Sequence, residues 1–289
     1  MKNITVLIPC YNDWDCLNLL IPSIDKYINN ININFDILIV NDSSTLKNNI
    51  KLNNIKNIKS INVLNLKNNV KAQVAIASGL EYLKNKDFDG GIIVMDADGQ
   101  DDPENIIEIV ENIRNNPLQT ITINRLSRSE TPTFIFFYYV YLFLTSVFIL
   151  KNFRHGVYTY IHTKSLNQLF KDNSINYAYV GAVAKFLKYK FKIKKPRYKR
   201  YAGDSQNNFI SLVNYALKIL SIFKYRILVN SLIIGTVITY FLRFNILSLF
   251  VLCSLVSFNL IVFWVYFKNI KILKFDRMQN VSDIEKINF

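Results

Sequence analysis

The apolar run Gly91 to Met95 stops abruptly at Asp96-Ala97-Asp98-Gly99-Gln100, and this boundary constrains the fold more than any other stretch of the chain. A short uninterrupted apolar run reads as a strand buried on both faces, the pattern of a parallel sheet. Carboxylates at i and i+2 share a face while the chain stays extended. Asp96 and Asp98 at a strand end can therefore reach one divalent cation. A solvated acidic turn is the plainer reading of a lone Asp-x-Asp, and the neighbouring segments decide between the two.

Thr5 to Asp13 reads as a strand stopped by Pro9 and a turn, and Phe35 to Thr45 as a second strand ending in polar turn-formers. From Asn69 to Leu80 a helix rich in small residues (Ala72, Ala75, Ala77, Ser78) can pack closely on a sheet. Strands near 4–8, 35–40, 61–66, 91–96 and 119–124 alternate with helical patterns near 14–28, 70–85 and 103–114. That alternation predicts a mostly parallel sheet covered by helices. Ligands then bind outside the carboxyl ends of the strands, where Pro9, Asp42 and Asp96 fall. A dinucleotide-binding domain would carry G-x-G-x-x-G after its first strand; Pro9-Cys10-Tyr11-Asn12 stands there instead.

In chain order, four motifs resemble those of family-two glycosyltransferases with a GT-A fold. They are Ile8-Pro9-Cys10-Tyr11-Asn12-Asp13, Val40-Asn41-Asp42-Ser43-Ser44-Thr45, Asn69-Val70-Lys71 with Ala75 and Gly79, and Asp96-Ala97-Asp98-Gly99-Gln100-Asp101-Asp102-Pro103-Glu104. The resemblance implies an α/β, Rossmann-like catalytic domain, a nucleotide-sugar donor, inversion at the sugar, and Mg2+ or Mn2+ as cofactor. It assigns Asp96, Asp98 and Gln100 to the metal. Pro9, Tyr11, Asp13, Val40, Asp42, Asp96 and Ala97 are assigned to the nucleotide, and Asp98, Arg125 and Arg200 to catalysis. Hard cations prefer such oxygen donors and keep places for phosphate and water. Arg125 and Arg200 are candidates to grip phosphate through charge-assisted forks.

The chain departs from the family pattern in four places. Asp13 stands for a glutamate, Lys71 for the glycine of Asn-x-Gly, and Gln206 for the lysine of Gly-Glu-Ser-Lys. Arg154-His155-Gly156-Val157-Tyr158 lacks the aspartate of the matching region, which leaves a general base unassigned.

Two apolar runs between residues 227 and 267, separated only by Arg243-Phe244-Asn245, are each long enough to cross a hydrocarbon core of ~30 Å. They predict a C-terminal transmembrane hairpin. Lys218, Lys224 and Arg226 precede it, and Lys268, Lys271, Lys274 and Arg277 follow it, so both flanks are expected on the cytoplasmic side. The N-terminus starts directly with a strand and lacks a cleavable signal pattern. The expectation is a multi-pass protein of the inner (cytoplasmic) membrane with its catalytic domain in the cytosol. Phe134 to Leu150, rich in aromatics, reads as a helix lying at the interface, because a single span there would split the catalytic domain. Domains are expected at 1–130 (catalytic), 131–226 (interfacial helices, basic strand and juxtamembrane helix), 227–267 (hairpin) and 268–289 (basic tail). Cys10, Cys16 and Cys253 show no pairing pattern and read as reduced thiols, and His155 and His162 read as structural or exposed rather than as zinc ligands.

A formal net charge of +14 is spread unevenly. No acid occurs between Asp172 and Asp204, where Lys185, Lys188, Lys190, Lys192, Lys194, Lys195, Arg197, Lys199 and Arg200 crowd together. Basic residues near an anionic leaflet gain roughly 1 kcal/mol each. This face is read as meeting membrane and substrate phosphates, not nucleic acid. It leads into Arg200-Tyr201-Ala202-Gly203-Asp204-Ser205-Gln206, which resembles the Arg-x-x-Gly-Glu-Ser-Lys of polyprenyl-phosphate glycosyltransferases. A phosphate acceptor, with a second pKa of about 6, is already largely a dianion and needs positioning more than a base. The expected reaction is transfer to a polyprenyl (undecaprenyl-type) phosphate in the service of cell-envelope glycan. Two alternatives stay open: a saccharide hydroxyl as acceptor, and a catalytically idle, membrane-anchored scaffold. A homo-oligomer is also left open.

Overall fold

The computed structural model describes residues 2–125, 132–151, 153–187, 190–196, 198–203 and 209–289. The chain divides into two compact units. The first comprises Met1–Arg128, His155–Ser205 and Phe275–Phe289; the second comprises Ser129–Arg154 and Gln206–Lys274.

The strands are β1 (Asn3–Cys10), β2 (Asn34–Asn41), β3 (Ile58–Leu66), β4 (Gly91–Val94), β5 (Thr120–Arg125), β6 (His155–His162), β7 (Lys190–Lys195) and β8 (Val281–Ile287). The helices are α1 (Trp14–Tyr27), α2 (Lys71–Asn85), α3 (Asn105–Ile113), α4 (Pro132–Leu144), α5 (Leu166–Leu169), α6 (Tyr179–Phe186), α7 (Phe209–Ile222), α8 (Lys224–Leu242), α9 (Ile246–Lys268) and α10 (Ile270–Leu273).

Among the described residues these eight strands form one sheet in the first unit, in the order β7-β5-β6-β4-β1-β2-β3-β8. β1 runs parallel to β2 and β4, β2 to β3, and β5 to β7, whereas β6 and β8 are antiparallel insertions. The α/β, mostly parallel GT-A arrangement expected from the sequence is the observed one. Burial follows the apolar runs: Ile4, Val6, Leu7, Ile8 and all of β4 are inaccessible. Leu17, Leu20, Ile21 and Ile24 form the buried stripe of α1 at the spacing of a helix face. Gly79 lets α2 lie close against the sheet. A Cβ there would come within 2.7 Å of both Leu7 Cδ1 and Val40 Cγ2.

Three boundaries differ from the sequence reading. β4 ends at Val94, so Asp96 and Asp98 do not lie on an extended strand; the chain turns at Ala97-Asp98. Residues 155–205 join the sheet rather than the membrane-proximal part, because β6 inserts between β4 and β5 and β7 pairs with β5. The segment after the hairpin, expected as a basic tail, ends in a strand: β8 pairs antiparallel with Ile61 to Leu66 of β3. Its short, charged, mostly exposed sequence carries no apolar alternation, so backbone pairing alone makes it a strand, and charge is the usual dress of an edge.

A buried arginine secures this return. Arg277 is 6% exposed, pairs with Glu81 of α2, donates to Asn176 Oδ1, and stacks 4.8 Å from the Phe170 ring centre. Lys67 N–H adds a 2.8 Å bond to Asn280 O.

In the second unit α4 continues into a π-helix, Thr145–Ile149. Asn230 Nδ2 of α8 donates to Phe148 O at 2.8 Å, and the Phe148 ring lies 4.9 Å from that of Phe258 on α9. Among the described residues three helical stretches are long and apolar enough to cross a membrane: Pro132–Ile149, Lys224–Leu242 and Ile246–Lys268.

Replacing Arg277 by Ala leaves Glu81 and Asn176 without their cation and is expected to cost about 2 kcal/mol. Hydrogen exchange should rise in residues 281–287 while β1 and β2 keep their protection. Unchanged exchange in β8 would show that the edge pairing holds without the arginine.

Candidate active site

The strand order reverses at β1, whose neighbours β2 and β4 continue in opposite directions across the sheet. At such a switch point the connections leaving the carboxyl ends part and open a crevice. The ladders run slightly past the strands: Asp42 N–H donates to Cys10 O (2.8 Å) and Met95 N–H to Leu7 O (3.1 Å). Pro9, Val40 and Ala97 are buried at this edge, Pro9 in register with Val40, and Tyr11 is half-buried.

The acidic turn after β4 is held by its own backbone and by a strap, residues 198–203. Gln100 N–H donates to Asp98 Oδ1 at 3.0 Å. Tyr198 N–H donates to Gln100 O (2.9 Å) and Tyr201 N–H to Asp98 O (3.0 Å), so the strap runs along the turn as a short ladder. Gly99 is required twice over. Its φ is +73°, and an added Cβ would sit 2.2 Å from Cδ2 of Tyr201, whose ring lies against it.

The strap carries Arg200 onto the carboxylates. Its guanidinium pairs with Asp13 and stands 3.7 Å from Asp98 Oδ2, while Nε–H donates to Ala202 O at 2.7 Å. Asp13 is the N-cap residue of α1, yet its side chain makes no capping bond and goes to Arg200 instead. The forgone cap is worth ~1 kcal/mol. Burial pushes the Asp13 carboxyl above its usual range, Arg200 opposes that rise, and the charge of Asp98 adds to it.

A second group lies at the ends of β1 and β2. Asp42 is 2% exposed and accepts from Val70 N–H at 2.7 Å. Burial outweighs the amide bonds from Val70 and Lys71 and raises its pKa from 3.8 to about 6. Lys71 adopts φ +70°, so the backbone conformation that favours glycine survives the substitution. Its ammonium lies 6.0 Å from the Tyr11 ring centre. Asn12, at φ +60°, joins the two loops: its N–H donates to Ser44 Oγ (2.9 Å) and its Oδ1 accepts from Leu46 N–H (2.9 Å).

The structure thus brings Asp13, Asp98 and Arg200 together, a contact that no motif spacing announces. The sequence reading also missed Asn12 and Ser44 as loop ties, although an asparagine after a strand-ending proline is a signal for left-handed backbone. Arg125 is the last residue of β5, in register with Lys195 of β7. Its side chain, Arg128, Arg197 and the stretch from Asp204 to Gln206 lie outside what is described. Within the basic segment Lys195 pairs with Glu108 at 2.7 Å and Lys185 with Asp172 at 2.6 Å, while Lys192, Lys194 and Lys199 are exposed. Cys10, Cys16 and Cys253 are free thiols, and His162 Nδ1 accepts from Lys164 N–H at 3.2 Å, a structural bond.

Among the described residues no three His, Cys, Asp or Glu side chains converge as a ready-made metal cage. Hard cations such as Mg2+ usually take one or two carboxylates and complete their shell with substrate phosphates and water. The donors in and beside this turn, Asp96, Asp98 and Gln100, are oxygen-bearing, and a cationic group already stands at Asp98.

The fold and this carboxyl-edge site define a GT-A type α/β protein. A sequence model of "Glycosyl transferase family 2" matches residues 5–183, and the chain belongs to that family. It is 32% identical over 114 residues to an uncharacterized glycosyltransferase of Synechocystis sp., a match covering 38% of this chain and 34% of that relative. The chain is thus matched to about a third of that protein's length. Among solved structures it resembles S. aureus TarS 1-349 in complex with UDP-GlcNAc (TM-score 0.53, 14% identity, 91% of this chain and 81% of that one). It also resembles glucosyl-3-phosphoglycerate synthase from Mycobacterium tuberculosis in complex with Mn2+, UDP-glucose and phosphoglyceric acid (TM-score 0.52, 9% identity, 78% and 80%). At these identities the likeness establishes the shared fold.

Asp42 supplies a test of the site's electrostatics. Its folded pKa of about 6 exceeds the ordinary 3.8, so the native state holds the proton more tightly than the unfolded chain. Its contribution favours the fold at acid pH and is lost as pH rises through about 6. Asp42→Asn should therefore flatten the fall in melting temperature between about pH 4 and 6. A mutant curve parallel to the wild type would place the Asp42 pKa near its ordinary value.

Proposed function

We propose that this glycosyltransferase is membrane-anchored and inverting, and moves a sugar from a nucleotide donor to a polyprenyl phosphate at the cytoplasmic face of the membrane. The observation that carries the reading is the strap: a cation from the basic segment, Arg200, pairs with Asp13 at the start of α1 and stands 3.7 Å from Asp98 of the turn after β4. A phosphate-bearing acceptor needs such a cation beside the donor diphosphate, whereas a neutral saccharide does not. Asp98, with Asp96 and Gln100, would hold Mg2+ or Mn2+, which when bound would neutralise charge developing on the leaving diphosphate. Asp42 and Tyr11, with Pro9, Val40 and Ala97 at the same strand ends, would take the base and ribose, and Asp13 would hold Arg200 in place. Arg125 is proposed as a second phosphate contact.

Chain connectivity supports two membrane passes. β5 and β6 pair in one sheet, yet the apolar stretch Pro132–Ile149 lies between them. If it spanned once, residues 150–154 would have to recross ~30 Å of hydrocarbon, and five residues reach at most ~18 Å. Its exposed Phe136, Tyr139 and Phe143 suit a helix lying in the interface. α8 and α9, by contrast, leave and return as a pair, and β8 rejoins the sheet afterwards. Lys224 lies 3.4 Å from the Tyr266 ring centre and Lys268 4.8 Å from that of Trp264, the aromatic and cationic belt of a cytoplasmic helix end.

Asp98→Ala should abolish transfer and metal-dependent nucleotide binding without unfolding the chain, as read by calorimetric titration with Mn2+. Normal turnover in the presence of chelator would refute the metal assignment. For the acceptor, Arg200→Ala should slow transfer to polyprenyl phosphate by roughly ten- to a hundred-fold, the effect of losing a charge-assisted contact of ~1.5–3 kcal/mol. Wild-type enzyme that glycosylates a neutral saccharide in the same detergent and leaves polyprenyl phosphate untouched would overturn the acceptor assignment.

A further inference from the structure

Lys71 opens α2 at φ +70°, a conformation that costs a lysine more than the glycine the family pattern carries there. Strain of this kind persists where the surrounding structure enforces it, and it gathers at ligand sites. Here the buried carboxylate of Asp42 enforces it. Asp42 takes amide bonds from Val70 and Lys71, so the backbone at the start of α2 bends around it. Glycine would do the same without strain. The backbone task therefore gives no reason for a lysine, and the reason lies in the side chain.

That side chain is exposed and stays at the strand ends. Its Nζ lies 6.0 Å from the ring centre of Tyr11, which is itself half-buried at the end of β1. Burial is the main influence on the Asp42 carboxyl and raises its pKa; the two amides and then the charge of Lys71 lower it. Ammonium and carboxylate are thus near enough to act on each other. An aromatic face, a carboxylate acceptor and an ammonium donor meet at one edge of the sheet.

We infer that Lys71 is a donor-specificity residue that hydrogen-bonds to a carbonyl oxygen of the nucleobase. The inference rests on the donor site proposed above, in which Tyr11 and Asp42 take the base. A carboxylate accepts from a ring N–H, and an ammonium donates to a carbonyl oxygen. Together they read an N–H that has a C=O beside it. Uracil, thymine and guanine present that edge. Cytosine and adenine present a bare ring nitrogen beside an amino group, which sets acceptor against carboxylate and donor against ammonium. The flexible stem of lysine lets Nζ follow a base of either ring size, so the pair selects the edge and not the size.

The test is calorimetric titration of the full chain in detergent, with Mn2+, against UDP, GDP, CDP and ADP. UDP or GDP should bind, and CDP and ADP should bind about tenfold more weakly or less. Lys71→Gly relieves the backbone strain, whereas Lys71→Met keeps it and removes only the ammonium. Each should weaken the favoured nucleotide by about tenfold and narrow its margin over CDP, with Lys71→Arg restoring both. Melting temperatures confirm that the variants fold. Ligand-observed NMR with the bare nucleoside separates base from phosphate: uridine or guanosine should lose affinity in both variants by the same factor as its diphosphate. Loss for the diphosphate with the nucleoside unchanged would put Lys71 on phosphate and overturn the inference, as would a wild type that prefers CDP or ADP. If none of the four nucleotides binds the wild type, the donor site fails and takes the inference with it. If one binds and the Gly and Met variants match the wild type, only the inference falls.

Discussion

The sheet is completed by strands that the chain reaches only after leaving it. β6 follows the excursion through α4 and the π-helix, and β8 follows the whole apolar hairpin, yet both are hydrogen-bonded into the same eight strands. On the reading proposed above, in which α8 and α9 cross the membrane, the pairing of β8 with β3 calls for an even number of passes between those strands.

The same economy of placement governs the site. Asp13 has the chemistry of a helix cap and the position of one, but its carboxylate is committed to Arg200. Local stability of about 1 kcal/mol is given up at the mouth of α1, and a long-range contact between residues 13 and 200 is gained. Burial, which by itself would favour a protonated Asp13, is opposed by that arginine. Local rules broken in one place and compensated in another are what a functional site does to an otherwise consistent sequence.

Much of this was legible beforehand, and the reasons for the remainder are physical. Period and composition locate β1, β2, β4, α1 and α2, because burial imposes its own spacing on residues such as Leu17, Leu20, Ile21 and Ile24. Positions after strand ends, Asp42 and Asp96-Ala97-Asp98 among them, follow from the rule that ligands gather there. β8 was invisible because its strand character comes from β3 rather than from its own side chains. The Arg200–Asp13 pair was equally so: Arg200 carries the signal of a basic run, and nothing local says which carboxylate it meets. Lys71 is the instructive departure. It stands where the family pattern has glycine and adopts φ +70° as a lysine, bearing the strain and placing its ammonium 6.0 Å from the Tyr11 ring centre.

The absence of an aspartate from the Arg154 to Tyr158 region acquires meaning beside the strap. β6 begins there, and Tyr158 turns inward, fully buried, with its hydroxyl bonded to Asp102 O at 3.4 Å. Burial and the nearby Asp101 and Asp102 hold that phenol well above its ordinary pKa, so it is a poor base. A hydroxyl acceptor would need its proton removed during attack; a phosphate dianion brings its nucleophilic oxygen already bare and asks for cations. What this chain offers at the acidic turn is a guanidinium held by two carboxylates. The phosphate acceptor proposed above would meet that demand without a base.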